Sequence, residues 1–285
     1  MFLYELATIL VCVATGIVTY LAFRDPGLRD RLMFRPEAIL AHKQWHRLLT
    51  SALVHLDLQH VCLNLVSLYL FGSILESNWG APLFLATYLG SILGGSLLSL
   101  FIHRHHDYAA LGASGGVCGV IFATIFLVPG TSVGLFFLPL YVPGPVFALG
   151  YLAWTYFALR RGIGNIGHDA HFGGAIAGLL IALAIEPRYC LASPFVYGAT
   201  FLFAALALFV LARNPLGLHG TLFAFGSNEP KSNLRYQRYD ENRERRQREA
   251  DIDRILDKVS ARGLDSLTPH ERATLEAASA KPRRG

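Results

Sequence analysis

With 285 residues the chain has room for one or two domains, and it is 53% hydrophobic with only 16% of its residues charged. Of its 25 Lys and Arg, 14 follow Ser227 and 11 precede it, so the pI near 9.1 reflects a hydrophilic tail on an apolar body and gives no ground for a nucleic-acid partner. The four cysteines, Cys12, Cys62, Cys118 and Cys190, lie in or beside apolar runs without paired spacing, which argues against a disulfide framework and a zinc site.

Seven apolar runs read as candidate membrane helices. The first, Phe2–Phe23, lacks a basic leading segment and a small-residue cleavage site, so it reads as a retained helix and not a signal peptide. Arg24 to Gln59 follows as a long amphiphilic loop, too polar to span, in which Trp45 and Arg47 are expected to anchor at the headgroup level. The second run, His60–Leu75, opens with His60 and Asn64 and is preceded by His55. The third, Pro82–Ile102, carries Gly90-x-x-x-Gly94, and the cluster His103-Arg104-His105-His106 behind it reads as a solvated interfacial loop. The fourth, Ser114–Val128, sits in Gly112-Ala113-Ser114-Gly115-Gly116-Val117-Cys118-Gly119. At about 1.5 Å per residue it covers about 22 Å of a hydrocarbon core about 30 Å thick, which places Ser114 below the membrane surface. The fifth, Pro145–Leu159, ends at Arg160 and Arg161, a boundary pair. The sixth, Ala170–Ile185, opens with Ala170-His171-Phe172-Gly173-Gly174 and continues to Gly178, and the seventh is Phe195–Ala212.

Beyond it the chain is hydrophilic, and Asn228 to Arg248 reads as a solvated linker or exposed helix. Ile252, Ile255, Leu256 and Val259 fall on one helical face with Gly263 as the residue after the cap, and Thr268-Pro269-His270-Glu271 reads as a capping box opening a second short helix. The expected domains are 1–190, a membrane core; 191–213, an additional membrane helix; 214–250, a charged linker; and 251–285, a small helical hairpin.

Consecutive spans alternate direction, so the N-terminal ends of the second, fourth and sixth share one face of the membrane. His55, His60, Asn64, Ser114 and His171 therefore occupy one layer. Gly115-x-x-x-Gly119 and Gly174-x-x-x-Gly178 are small-residue stripes that let helix backbones approach closely in lipid. A serine and a histidine brought together in this way suggest a nucleophile and its base. The Ser114 amide at a helix N-terminus, with His60 and Asn64 four residues apart on one face, supplies candidate donors to an oxyanion, each worth about 3 kcal/mol when well aimed. Asp169 points elsewhere on the helix, which leaves a dyad. His168 and His171 with His55 or His60 could be read as a metal site, but no His-Glu-x-x-His and no well-placed carboxylate accompany them, so neither a metal nor another cofactor is expected.

These motifs, Gly112-x-Ser114-Gly115, Ala170-His171-x-x-Gly174-x-x-x-Gly178, His55-x4-His60-x3-Asn64 and Trp45-x-Arg47, resemble the rhomboid family of intramembrane serine proteases over roughly Met1 to Ile185. The resemblance implies an all-α polytopic bundle of six helices with the seventh as an addition. It implies Ser114 as nucleophile, His171 as base, and His60, Asn64 and the Ser114 N–H as the oxyanion hole. His55, Gly112, Gly115 and Cys118 would support the pocket, with Gly119, Gly174 and Gly178 packing the helices. Substrates would be single-span membrane proteins cleaved in or near a locally unstable transmembrane helix, in the lipid bilayer of a bacterial inner (plasma) membrane; the tail's partner is unknown. Cys118 departs from the family, many of whose members have an aromatic residue there that packs on the histidine, so the base is expected to be held less firmly.

The family orientation sets the active site on the extracytoplasmic face. Charge argues for the opposite topology, since Arg24 to Arg47 carries six Lys and Arg while the loops Glu76–Ala81 and Pro129–Gly144 carry none. A non-enzymatic binder on the same fold would be expected to lose Ser114 or His171, and a transporter would need charges or broken helices at mid-membrane.

Overall fold

The computed structural model describes residues 5–213 apart from 106, 135–140, 162, 164–165 and 193, and residues 252–275 apart from 261, 264–265, 270 and 273. The chain divides into two units, Met1–Lys231 and Ser232–Gly285.

The first unit is helical throughout its apolar runs. α1 (Leu6–Arg24) ends where Asp25 stops it; the Asp25 carboxylate then accepts from the Gly27 N–H at 2.8 Å and caps α2 (Pro26–Leu32), with proline at its first position. The polar segment expected as a loop is built from α2, α3 (Pro36–Leu40), α4 (Arg47–Thr50) and a 3-10 turn, Ser51–Leu53. Arg47 corrects the sequence reading. Trp45 is exposed, but Arg47 is buried: its Nη1 donates to the carbonyls of Asp30 and Met33 at 2.5 and 2.7 Å, and its Nε donates to Gln44 Oε1 at 2.6 Å. The guanidinium thus staples the segment internally and does not reach for headgroups.

α5 (Leu58–Trp79) starts two residues before the apolar run because the Asp57 side chain accepts from the His60 N–H at 2.8 Å, and it stops at Gly80, whose φ of +81° favours glycine. α6 (Ala81–His103) begins immediately, with Pro82 in its first turn. α7 (Ser114–Leu127) is short, about 21 Å at 1.5 Å per residue, and it is the centre of the bundle: all of its residues except Ser114 and Ile121 are buried. Two strands, β1 (Ser132–Gly134) and β2 (Tyr141–Pro143), pair antiparallel with Val133 opposite Val142. They are a small non-helical element in a segment expected to be loop. α8 (Gly144–Arg161), α9 (His168–Ile185), α10 (Pro187–Ala192) and α11 (Pro194–Arg213) complete the unit.

By length and composition α1, α5, α6 and α9 can each cross a membrane, and the described apolar helices also include α7 and the Tyr197–Leu211 part of α11. Large apolar side chains of α1 and α11 point outward, among them Leu10, Val13, Ile17, Leu202 and Leu206, as expected where the solvent is lipid. α7 packs against α5, α6, α8 and α9, and α6 packs against α9. The N-terminal end of α7 is fixed by backbone bonds. Phe34 and Ala110 exchange N–H···O bonds at 2.9 and 3.1 Å, and the Gly112 N–H donates to Ser51 O at 2.9 Å.

In the second unit residues 252–260 are helical. Gly263 has φ +76° and its N–H donates to Val259 O at 2.8 Å, the expected C-terminal cap. The capping box is present: Thr268 N–H donates to Glu271 Oε2 at 2.8 Å and Glu271 N–H to Thr268 Oγ1 at 3.2 Å. Of the expected apolar face Ile255 is buried, whereas Leu256, at its edge, is exposed. The expected linker 214–250 lies outside the described residues, as do Phe2, Leu3 and Tyr4 of the first run.

Candidate active site

Ser114 is the first residue of α7 and His171 lies in the first turn of α9. Their side chains meet: His171 Nε2 is 2.6 Å from Ser114 Oγ. The glycine stripes explain how two helices carrying these groups come so close. A Cβ on Gly174 would stand 2.7 Å from the Gly115 carbonyl carbon, and one on Gly178 would stand 2.6 Å from the Gly119 Cα. Only hydrogen fits at either place. Gly94 and Gly95 make the same kind of contact with α9, since a Cβ there would meet Ala177 Cβ at 2.6 Å and Ala170 O at 2.5 Å. α9 is therefore seated in a groove between α6 and α7, and the Ser114–His171 distance follows from backbone contact.

The amides at the start of α7 are the second component. Val117 N–H makes the first intrahelical bond, to Ala113 O at 3.0 Å, so the N–H groups of Ser114, Gly115 and Gly116 precede the helical ladder. Ala113 has no side chain to cap them. This is a region of positive potential beside the Ser114 hydroxyl, suited to an oxyanion.

His55 is fully buried. Its Nε2 accepts from the Ala113 N–H at 3.1 Å, and its Nδ1 is 2.9 Å from Thr19 Oγ1, which donates onward to Leu53 O at 3.0 Å. Burial, with His60 beside it, pushes the His55 imidazole down to about 3, so it is neutral and its Nδ1–H faces Thr19. His55 thus fixes the turn that presents Ser114. The His60 ring lies edge-on to His55 at 5.0 Å and against Gly112, where φ is +126° and a Cβ would come within 2.6 Å of His60 Cε1. Gly112 is required twice, by its backbone and by the ring above it. Asn64 is buried on the same face of α5, and its Nδ2 donates to His60 O at 2.8 Å, leaving the second amide hydrogen for the pocket.

Two groups were missed by reading the sequence. Tyr151, in the middle of α8, places its hydroxyl 3.2 Å from His171 Nδ1, and Cys118 Sγ is 3.0 Å from that same hydroxyl. Cys118 does not leave the histidine face loose: it contacts the tyrosine that does touch it. The second is the pairing of Asp169, which is buried and turned away from His171 as expected. Its carboxylate receives Tyr108 OH at 3.3 Å and lies 3.3 Å from His103 Nε2, with the His103 and Tyr108 rings stacked at 3.7 Å. His103, read as solvated, is thereby a mostly enclosed partner of α9, and His106 lies outside the described residues. His168 Nε2 meets Ile163 O at 3.0 Å and its ring centroid is 6.1 Å from that of His171.

A family model described as Rhomboid domain matches residues 42–188, which is 147 of the 285 residues, and one described as Family of unknown function (DUF6576) matches residues 237–281. The chain is 34% identical over 150 residues to RHOMBOID-like protein 12, mitochondrial, of Arabidopsis thaliana, covering 46% of this chain and 43% of that one. It is 32% identical over 148 residues to Rhomboid protein 1, mitochondrial, of Saccharomyces cerevisiae, covering 48% and 42%. To Rhomboid protease GluP of Bacillus subtilis it is 27% identical over 155 residues, covering 53% and 28%. The chain thus spans less than half the length of each of these relatives.

Proposed function

Because this chain belongs to the rhomboid family, a group of multi-pass membrane proteins, we propose that it is an intramembrane serine endopeptidase working through Ser114 and His171. The observation that carries the reading is the 2.6 Å contact between His171 Nε2 and Ser114 Oγ, made across two helices pressed together by glycine. His171 takes the Ser114 proton as Oγ attacks the scissile carbonyl, then returns it to the leaving amine. The resulting acyl-serine is hydrolysed by water, with His171 again as base. The Ser114 N–H, Asn64 and His60 receive the oxyanion. The shortness of α7 supports a Ser114 that lies below the membrane surface, and with it substrates that are single-span membrane proteins cleaved in or near the transmembrane helix.

In this reading α1, α5, α6, α7, α8 and α9 form a six-helix core within 1–190, α11 is the additional helix of 191–213, and 214–250 links the core to the hairpin of 251–285. The relatives at 34% and 32% identity are mitochondrial proteins, which leaves the bacterial plasma membrane expected from the sequence without support.

The test is labelling of the purified, detergent-solubilised protein with a fluorophosphonate probe. Labelling is expected in the wild type and absent in Ser114→Ala and His171→Ala. Labelling that persists in Ser114→Ala refutes the assignment.

A further inference from the structure

The acid–base logic of the site requires something behind His171. For Nε2 to accept the Ser114 proton it must be bare in the resting enzyme, so the neutral ring must carry its hydrogen on Nδ1. An imidazole with nothing at Nδ1 exchanges freely between its two tautomers and can rotate about its side chain, and both lower the fraction ready to act. In triad enzymes a carboxylate does this work. Here the nearby carboxylate is turned away: Asp169 is engaged by Tyr108 and His103. The atom that faces Nδ1 is the Tyr151 hydroxyl, at 3.2 Å.

We propose that Tyr151 is the positioning residue of the catalytic histidine, and that Cys118 positions Tyr151 in turn. Nδ1–H of His171 donates to Tyr151 Oη, whose own O–H is then directed at Cys118 Sγ, 3.0 Å away. The order runs Ser114 Oγ–H to His171 Nε2, His171 Nδ1–H to Tyr151 Oη, Tyr151 O–H to Cys118 Sγ. No proton needs to leave the chain when His171 becomes imidazolium. Packing fixes the tyrosine independently of the bond: its ring stacks on Phe147 at 5.7 Å, meets Phe122 edge-on at 6.0 Å, and hangs from α8, a helix that packs against both α7 and α9. Cys118 is one turn below Ser114 on α7, so serine and thiol grip the histidine–tyrosine pair from one helix. Because the phenol is neutral, it orients the ring and selects the tautomer without offsetting the imidazolium charge as a carboxylate would.

The proposal rests on the Ser114–His171 reading, and the experiment separates the two. Fluorophosphonate labelling is resolved into a maximal rate and a half-saturating probe concentration for the wild type, Tyr151→Phe, Cys118→Ser and Cys118→Val, with Ser114→Ala as control. Thermal unfolding is recorded alongside, together with the ¹⁵N spectrum of histidine-labelled protein, in which the two tautomers are distinct. Tyr151→Phe is expected to lower the maximal rate by about 10- to 100-fold, less than loss of the general base itself would cost, while the half-saturating concentration holds and the His171 resonances pass from Nδ1–H to a tautomer mixture. Cys118→Ser, which keeps an acceptor in place, is expected to retain most of the rate, and Cys118→Val to lose more. Tyr151→Phe labelling at the wild-type rate overturns the proposal while leaving the dyad standing, whereas labelling that survives Ser114→Ala removes both. If Tyr151→Phe does not fold, equal rates in Cys118→Ser and Cys118→Val overturn it.

Discussion

Replacing Gly174 by alanine adds one methyl group at the place where α9 rests on α7, one turn below His171 and beside Ser114. The built Cβ stands 2.7 Å from the Gly115 carbonyl carbon and 3.0 Å from its Cα, with the carbonyl oxygen nearer still. Non-bonded carbons settle at about 3.5–4.0 Å, so the helices must separate by about 1 Å, and the obstacle is backbone that cannot swing aside. Applied at the Ser114–His171 pair, that separation opens the 2.6 Å contact to about 3.5 Å, beyond a useful hydrogen bond. Misplacement by about 1 Å can cost about 10²-fold in rate. Stability changes less, because alanine gains about 1 kcal/mol of helix propensity against about 1–3 kcal/mol of overpacking. The assay is fluorophosphonate labelling rate beside thermal unfolding in the same detergent. Two controls bracket the result: Gly150→Ala, whose Cβ meets nothing within 4 Å, and Gly90→Ala, whose Cβ meets only the flexible tip of Ile181 at 3.0 Å. Both should label at close to the wild-type rate. Gly174→Ala labelling within threefold of the wild type would refute the claim that glycine contact sets the serine–histidine distance.

The remaining predictions concern parts of the fold around that pair. His55 is held neutral at about 3 against 6.5 in the unfolded chain, so the folded state binds fewer protons between those values; its stabilisation is complete above pH 6.5 and is lost as pH falls, at about 1.4 kcal/mol per unit. Midpoints of unfolding should therefore drop more steeply below pH 6.5 in the wild type than in His55→Asn, and parallel profiles would contradict the assignment. Glu76 is buried and receives the Ala7 and Thr8 N–H groups at 2.9 and 2.7 Å and the Thr8 hydroxyl at 2.7 Å, acting as the cap that Glu5 does not give α1. Glu76→Ala should cost about 2–4 kcal/mol, read as a loss of thermal stability with the labelling rate per folded molecule retained. Asp169→Asn should lower thermal stability by loosening His103 and Tyr108 yet still label; loss of labelling in a folded Asp169→Asn would make the aspartate a third member of the catalytic set.

Much of this fold is written in the sequence because lipid imposes a simple grammar: an apolar run of sufficient length becomes a helix, and direction alternates from one helix to the next. The run His60–Leu75 nevertheless falls short of α5 at both ends. Asp57 as a cap and Gly80 as a stop are local polar and backbone signals that hydrophobicity does not register. The Ser114–His171 pair was legible because two independent patterns agree on it. Alternation of direction puts both residues in one layer, and glycine spacing on α7 and α9 presses those two helices together.

Neither pattern reaches Tyr151. It sits mid-run in α8, among Phe147, Trp154, Tyr156 and Phe157, and nothing local distinguishes it from aromatic residues that only fill space. Alternation says which helix ends share a layer but not how deep a side chain from an oppositely directed helix will lie, and that depth decides that Tyr151 meets the Nδ1 of His171. The same holds for Arg47 and for His103, whose partners lie at depths and across distances that spacing along the chain does not encode. Cys118 departs from the family pattern, which puts its neighbours in question, and its thiol is hydrogen-bonded with the Tyr151 hydroxyl. An aromatic ring at position 118 would fill the space that this hydroxyl occupies. The small residue on α7 and the tyrosine on α8 are therefore one structural choice, and a bulkier residue at position 118 should displace the tyrosine hydroxyl that stands between it and His171.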